Sequence, residues 1–391
     1  MGASAGTGGP AAPLAFPECR SRPIAMFEPQ PGPRHRLTAS TGRAKGITGK
    51  AILVTGGAGF IGSHLTDFLI ARGDSVVVLD NLANGRLSNL EGVLDHPRLR
   101  FVQGTVLDAL MVDELVHDCD VVIHLAAATG VPQLMQQPSH TFTHNLRSSQ
   151  RVIEAAHRYK RRLLLASTSE VYGKNTDVPL AEDANRVLGP PIIARWAYSI
   201  AKAVEEILAY AYHRERGLDV TVVRLFNTVG PRQNPQNGTV IPRLVAQAIA
   251  GEPLTVYGEG RQTRCFCHVR DVVDALVRLA DSGDAAGEAY NVGGLEEISV
   301  YDLARRVLEL GGPLPPDERG EDRLQLIPYD TAYGPGFEEM LRRVPDLTKV
   351  KALTGWAPTT TLDEILAEAL AEAAAAHKVR SDLSNRLSES D

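Results

Sequence analysis

Residues 51–62, AILVTGGAGFIG, run from an apolar strand pattern into Gly56, Gly59 and Gly62, and the HLTDFLIARG that follows has helical periodicity. This commits the start of the chain to a strand, a tight glycine turn and a helix. Such a unit binds a pyrophosphate: one glycine permits the turn, one lets the backbone approach phosphate, and one brings helix and strand close, with the helix dipole aimed at the anion. A second strand, SVVVLD, ends in Asp80 at about the twenty-residue separation where an acid takes the adenosine ribose hydroxyls. An acid there repels a 2′-phosphate, so the expected cofactor is NAD, not NADP.

The chain has 391 residues, 43% hydrophobic and 23% charged, enough to bury one large domain or two interlocked ones. Its net charge of −6 offers no general attraction to nucleic acid or anionic lipid, so a bound anion needs local arginines. No apolar run reaches bilayer length. Cys19, Cys119, Cys265 and Cys267 are too few and irregular for a disulfide framework, which suits a reducing, cytoplasmic setting. Cys265 and Cys267 alternate around Phe266 as strand residues do and lack a second pair at zinc spacing, so no metal site is expected. Residues 1–48 are rich in Pro, Gly and Ala, with only Glu18 and Glu28 as acids. They read as a disordered extension, or as an over-extended start with Met26 as an internal candidate. Residues 378–391 read as a flexible tail.

After Asp80, strand patterns (LRFVQG, DVVIHLAAA, LLLAS, DVTVVRLFN) alternate with helical ones, including Thr141–Lys160 and Trp196–Arg216, the latter stopping at Gly217. The expected fold class is α/β, a Rossmann doubly wound parallel sheet over residues 49–230. Beyond Asn227, Pro and Gly break the chain into shorter elements. These read as a smaller C-terminal α/β substrate lobe, residues 231–377, interleaved with the first.

Ligands of such sheets lie beyond the carboxyl ends of the strands, where LLLAS delivers Ser167, Thr168, Ser169 and Glu170. Tyr198 and Lys202, four apart on one helix, share a face. The ammonium is expected to lower the phenol's pKa, aided by the positive ring of oxidised cofactor, making Tyr198 a general base with Thr168 sharing its proton.

In TGGAGFIG, DNLANGR at 80–86, HLAAA at 124–128, STSEVYG at 167–173, YSIAK at 198–202, RLFNTVGPR at 224–232 and EPLTVYGEGRQTRCFCHVRD at 252–271, the chain resembles the extended short-chain dehydrogenase/reductase family. Within it, the likeness is to the nucleotide-sugar epimerases, dehydratases and decarboxylases, over about residues 50–375. The resemblance implies resident NAD, reduced and reoxidised in each turnover, and a homodimer formed through helices near 109–117 and 141–160. By position, Gly56, Gly59, Phe60, Ile61 and Gly62 would hold the pyrophosphate and Asp80, with Asn81 beside it, the ribose. Thr105 and Val106 would meet the adenine edge, and Leu125, Ala126 and Ala127 the cofactor's middle. Thr105 departs from the acid many relatives carry. Thr168, Tyr198 and Lys202 match the catalytic trio, and Glu170 joins the catalytic candidates. Thr168 and Ser169 would touch the sugar, and Asn227, Arg264 and Arg343 the nucleotide diphosphate, whose oxygens suit guanidinium forks.

Such enzymes begin by oxidising the sugar at C4. Relatives that expel the C6 hydroxyl carry Asp-Glu after the threonine; Ser169-Glu170 disfavours 4,6-dehydration. A non-catalytic dinucleotide sensor is disfavoured because the trio is intact. STSEVYG and Arg195, three before Tyr198, resemble the decarboxylases. RVLGPPIIARWAYSIAK and YDTAYGPGFEEMLRRVPD resemble bacterial UDP-sugar 4-epimerases, and Arg232 is a candidate clamp for a uronic carboxylate. The expected reaction is C4 epimerisation of UDP-glucuronate or UDP-glucose, with UDP-glucuronate decarboxylation to UDP-xylose as the alternative.

Overall fold

The computed structural model describes residues 49–234, 238–311, 320–334 and 337–388; the extension expected over residues 1–48 lies outside them. The apolar runs form β1 (Ala51–Thr55), β2 (Ser75–Asp80), β3 (Leu99–Gln103), β4 (Val121–His124), β5 (Arg162–Thr168) and β6 (Val220–Leu225). Shorter strands follow: β7 (Thr228–Val229), β8 (Leu254–Tyr257), β9 (Thr263–Cys265), β10 (Cys267–His268), β11 (Ala289–Val292), β12 (Glu297–Ser299), β13 (Leu324–Ile327) and β14 (Arg342–Arg343). The helices are α1 (Phe60–Arg72), α2 (Ala109–His117), α3 (Val131–Gln136), α4 (Pro138–Arg158), α5 (Trp196–Arg216) and α6 (Val240–Ala250). They continue with α7 (Val269–Asp281), α8 (Val300–Leu310), α9 (Tyr329–Tyr333), α10 (Thr348–Thr354) and α11 (Leu362–Ser388).

Seven strands make one sheet in the order β11-β6-β5-β4-β1-β2-β3. Every pairing in it is parallel. The order reverses between β1 and β4, which opens a crevice at the carboxyl ends. Because helices cover both faces, the strands are apolar on both sides rather than alternating. One face packs on α1 and α7 through Val54, Leu65, Leu69, Val272 and Leu276. The other packs on α2, α4 and α5 through Val112, Val152, Ile153 and Ala209. Local signals set the helix ends: Asp108 caps α2 by accepting from Leu110 and Met111, and α5 stops where Gly217 turns left-handed at φ 70°.

Two expectations change. The lobe boundary at 230 does not hold for AYNV: β11 returns to the large sheet and pairs with β6, and α7 packs with it. The cause is that β6 is buried along almost its whole length and its edge needs a neighbour. The tail expected from residue 378 instead continues α11 as far as Ser388. The lobe proper holds β8 with β13, and β9 between β12 and β14, over a core shared by α6, α8 and α11. Among the described residues, no helix is long and apolar enough to cross a membrane.

Candidate active site

The glycine turn closes as its spacing demands. Gly56 has φ 74°, and its N–H donates to Leu79 O at 2.9 Å. A Cβ on Gly62 would lie 2.1 Å from Gly56 O, so only glycine lets α1 start this close to β1. The Asp80 carboxylate accepts from Ala58 N at 3.0 Å and Leu82 N at 2.8 Å, tying the end of β2 to that turn. Arg86 N and the Asn89 amide both donate to Ala58 O, folding the loop after Asp80 over the glycines. Asn81 accepts from Ala83 N within this loop. At the end of β4, Asn145 of α4 bonds both N and O of Ala128, fixing the segment Leu125–Ala127.

A cleft of about 650 Å³ runs along these strand ends and gathers almost every residue singled out above. Gly56, Gly59, Phe60, Ile61, Gly62, Asp80, Asn81, Val106, Leu125, Ala126 and Ala127 line one half. Thr168, Ser169, Glu170, Tyr198, Lys202, Asn227, Arg232, Arg264 and Arg343 line the other. Thr105 is the exception: it is absent from the lining, and its hydroxyl accepts from Leu107 N in its own turn.

At the reaction centre the electrostatics differ from expectation. Lys202 Nζ donates to Ala166 O and to Glu205 Oε2, each at 2.9 Å, so its charge is largely answered by Glu205. Burial pushes the Tyr198 phenol well up, Glu170 and Glu205 push it the same way, and the Thr168 hydroxyl and Arg195 only partly oppose them. The expected depression by Lys202 is therefore not present in the protein alone.

The part of the cleft beside Glu170 is cationic. Glu170 pairs with Arg195 at 2.6 Å and lies 3.6 Å from Arg343. Burial alone would raise Glu170, but Arg195, then Arg343, outweigh it and hold the carboxyl below its usual range. Arg264 pairs with Glu339 at 2.9 Å and donates to Met340 O. Burial and the nearby Arg264 push the Arg343 guanidinium below its ordinary value, the mark of a cation short of counter-charge. Three guanidiniums thus face two carboxylates, a receptor for one more anion. Arg232 is already engaged, at 2.8 Å from Asp67 of α1.

Sequence reasoning passed over Glu205, Glu339 and the aromatic wall of Tyr257, Tyr333 and Phe337. The i,i+3 spacing of Glu205 from Lys202 was a usable signal; the pairing of Glu339 with Arg264 spans 75 residues and was not. Cys265 and Cys267 are buried, and burial pushes both thiols up. Among the described residues, no group of three or more His, Cys, Asp or Glu could hold a metal.

Fold and cleft together define a dinucleotide-binding enzyme of the short-chain dehydrogenase/reductase type, with a second, cationic half for an anionic substrate. Residues 52–293 match the NAD dependent epimerase/dehydratase family, and the chain belongs to it. It is 38% identical over 323 residues to the UDP-N-acetyl-alpha-D-glucosaminuronate decarboxylase of Bacillus cytotoxicus, covering 82% of this chain and 97% of that protein. It is also 38% identical to the UDP-glucuronic acid decarboxylase 1 of Xenopus tropicalis, covering 81% of this chain and 70% of that one. Among solved structures, a UDP-glucose 4-epimerase from Thermotoga maritima shares 30% identity at TM-score 0.71, over 82% of this chain and 97% of that one. A dTDP-glucose 4,6-dehydratase from Streptomyces venezuelae, solved with NAD, shares 31% at TM-score 0.72, over 82% and 95%. The cofactor is NAD, and the cradle at Gly62 with the Asp80 carboxylate fits it.

Proposed function

We propose that this enzyme decarboxylates a UDP-hexuronate through a 4-keto sugar, leaving the UDP-pentose. The carrying observation in the structure is the surplus positive charge at Arg195, Arg264 and Arg343, which suits an anionic sugar nucleotide. The names of the curated relatives, decarboxylases of UDP-hexuronates, support this reading over C4 epimerisation.

Bound NAD supplies a hydride acceptor for C4 and a positive ring charge that brings the Tyr198 phenol down. Tyr198 takes the C4 hydroxyl proton, and Thr168 holds the same oxygen. The product is a β-keto acid. Its C5–C6 bond breaks with the electron pair moving onto the C4 oxygen, where the Tyr198 and Thr168 hydroxyls donate to the developing enolate. Carbon dioxide leaves, C5 takes up a proton, and Tyr198 returns its own as C4 is reduced again. In this reading Glu170 stays ionised and orders Arg195 and Arg343. A homodimer remains part of the proposal: Leu110 on α2 and Ile207 on α5 are exposed, and light scattering should give twice the 42.2 kDa chain mass.

Incubation with UDP-glucuronate, UDP-N-acetylglucosaminuronate and UDP-glucose, with products resolved by NMR, tests the reaction. Carbon dioxide and a UDP-pentose are expected. A C4 epimer that keeps its carboxylate would overturn the proposal in favour of the epimerase reading, which the likeness to the Thermotoga maritima enzyme supports.

A further inference from the structure

Glu205 is a buried carboxylate that the chemistry above does not use. Its Oε2 lies 2.9 Å from Lys202 Nζ and accepts from the Ser149 hydroxyl of α4 at 2.6 Å, while its Oε1 has no hydrogen-bond partner. The contacts continue inward: Ser149 Oγ is 3.1 Å from His124 Nε2 on β4, and His124 Nδ1 is 2.7 Å from Thr55 Oγ1 at the end of β1. Every member is buried. Burial, reinforced by Lys202, pushes the His124 imidazole down to about 3, so it is neutral and Lys202–Glu205 is the charged link of the network. A half-satisfied buried carboxylate costs stability that an apolar side chain at this place would not. An electrostatic task accounts for it.

We propose that Glu205 is a positioning residue of the reaction: it anchors the Lys202 ammonium and, by its charge, raises the pH at which the Tyr198 phenol gives up its proton. The inference rests on Tyr198 as the proton acceptor. Other charged groups around the pair are Glu170 after β5, Arg195 at the start of α5, and Glu206, which is held by Arg224 of β6. Arg343 lies 3.6 Å from Glu170. None of these is altered by changing Glu205. Glu205 pushes the phenol up through its charge, so removing that charge eases proton loss from Tyr198.

The test follows the acid limb of kcat/KM against pH in Glu205→Gln and Ser149→Ala. Tyr198 ionisation is read separately from the phenolate absorbance, as the difference from the same protein carrying Tyr198→Phe. Glu205→Gln, which still accepts from Lys202, should move both midpoints down by about one pH unit. Ser149→Ala removes a donor that holds Glu205 in its charged form, and burial then pushes that carboxyl up toward the neutral acid. Both midpoints should then fall, as in Glu205→Gln but by less, and this arm decides the matter if the glutamine variant does not fold. Unmoved midpoints, or midpoints that rise in either variant, overturn the proposal and leave Glu205 a packing residue. If the unaltered enzyme converts no sugar nucleotide, the proposed function fails, while the absorbance titration still decides the role of Glu205.

Discussion

Burial acts in opposite directions on the phenol of Tyr198, which it pushes up, and on the imidazole of His124, which it pushes down to about 3. For Tyr198 the consequence bears on the proposed reaction. In that reaction Tyr198→Phe removes the proton acceptor and one enolate donor, so turnover should fall by about 10²–10⁴-fold with NAD still retained, as measured by nucleotide released on denaturation. For His124 the consequence is stability. The native imidazole stays neutral while the unfolded one takes a proton below about 6.5. Its contribution is therefore complete above that pH and is lost as pH falls toward the folded value, with a slope of up to about 1.4 kcal/mol per pH unit. Urea unfolding across this range should show that slope reduced in His124→Gln; equal slopes in both proteins would mean that the imidazole is not held neutral. At this scale, spacing made Tyr198 and Lys202 legible, because i,i+4 on a helix is geometry written in sequence. Their ionisation was not legible, since it depends on Glu170 from another element and on the partner that Lys202 takes.

The strand, glycine turn and helix at the front of the cleft were readable because each piece is local. The apolar run, the glycines and the helix stop lie within about one βα unit, and the structure places each where the pattern put it. The tightest point is Gly62, where an alanine Cβ would sit 2.1 Å from Gly56 O and 2.7 Å from Gly57 Cα, both backbone. Neither neighbour can rotate away, so α1 must move off β1. Gly62→Ala should cost about 1–3 kcal/mol, lower the thermal midpoint and reduce the NAD that copurifies. A lower midpoint with full NAD content would show that the helix start is not what holds the cofactor. Some short elements were less legible: α3 and α9 are too short to show a helical period, and the two-residue β7 and β14 pair with strands far away in sequence. AYNV falls in the stretch read as the interleaved smaller lobe, and nothing within it distinguishes a place in that lobe from the place beside β6 that it takes.

At the scale of the whole molecule, the late residues complete the early core. Trp356 is 1% exposed, packs in the same cluster as Val54, Leu65 and Val272, and donates from Nε1 to Asp271 O at 2.9 Å. The adjoining Thr359 and Thr360 donate to the Asp271 carboxylate, so the chain between α10 and α11 is fastened to α7, which itself lies on α1 beneath the glycine turn. A ring removed from this position leaves a cavity shared by both ends of the chain. Trp356→Ala should cost about 3–5 kcal/mol, and the loss should be felt by the dinucleotide half as well as by the C-terminal elements. Calorimetry is expected to show one transition displaced downward, together with weaker retention of NAD. Two separated transitions, the earlier one leaving bound NAD undisturbed, would show instead that the C-terminal elements unfold on their own, and that the seven-stranded sheet does not depend on the residues that close its far side.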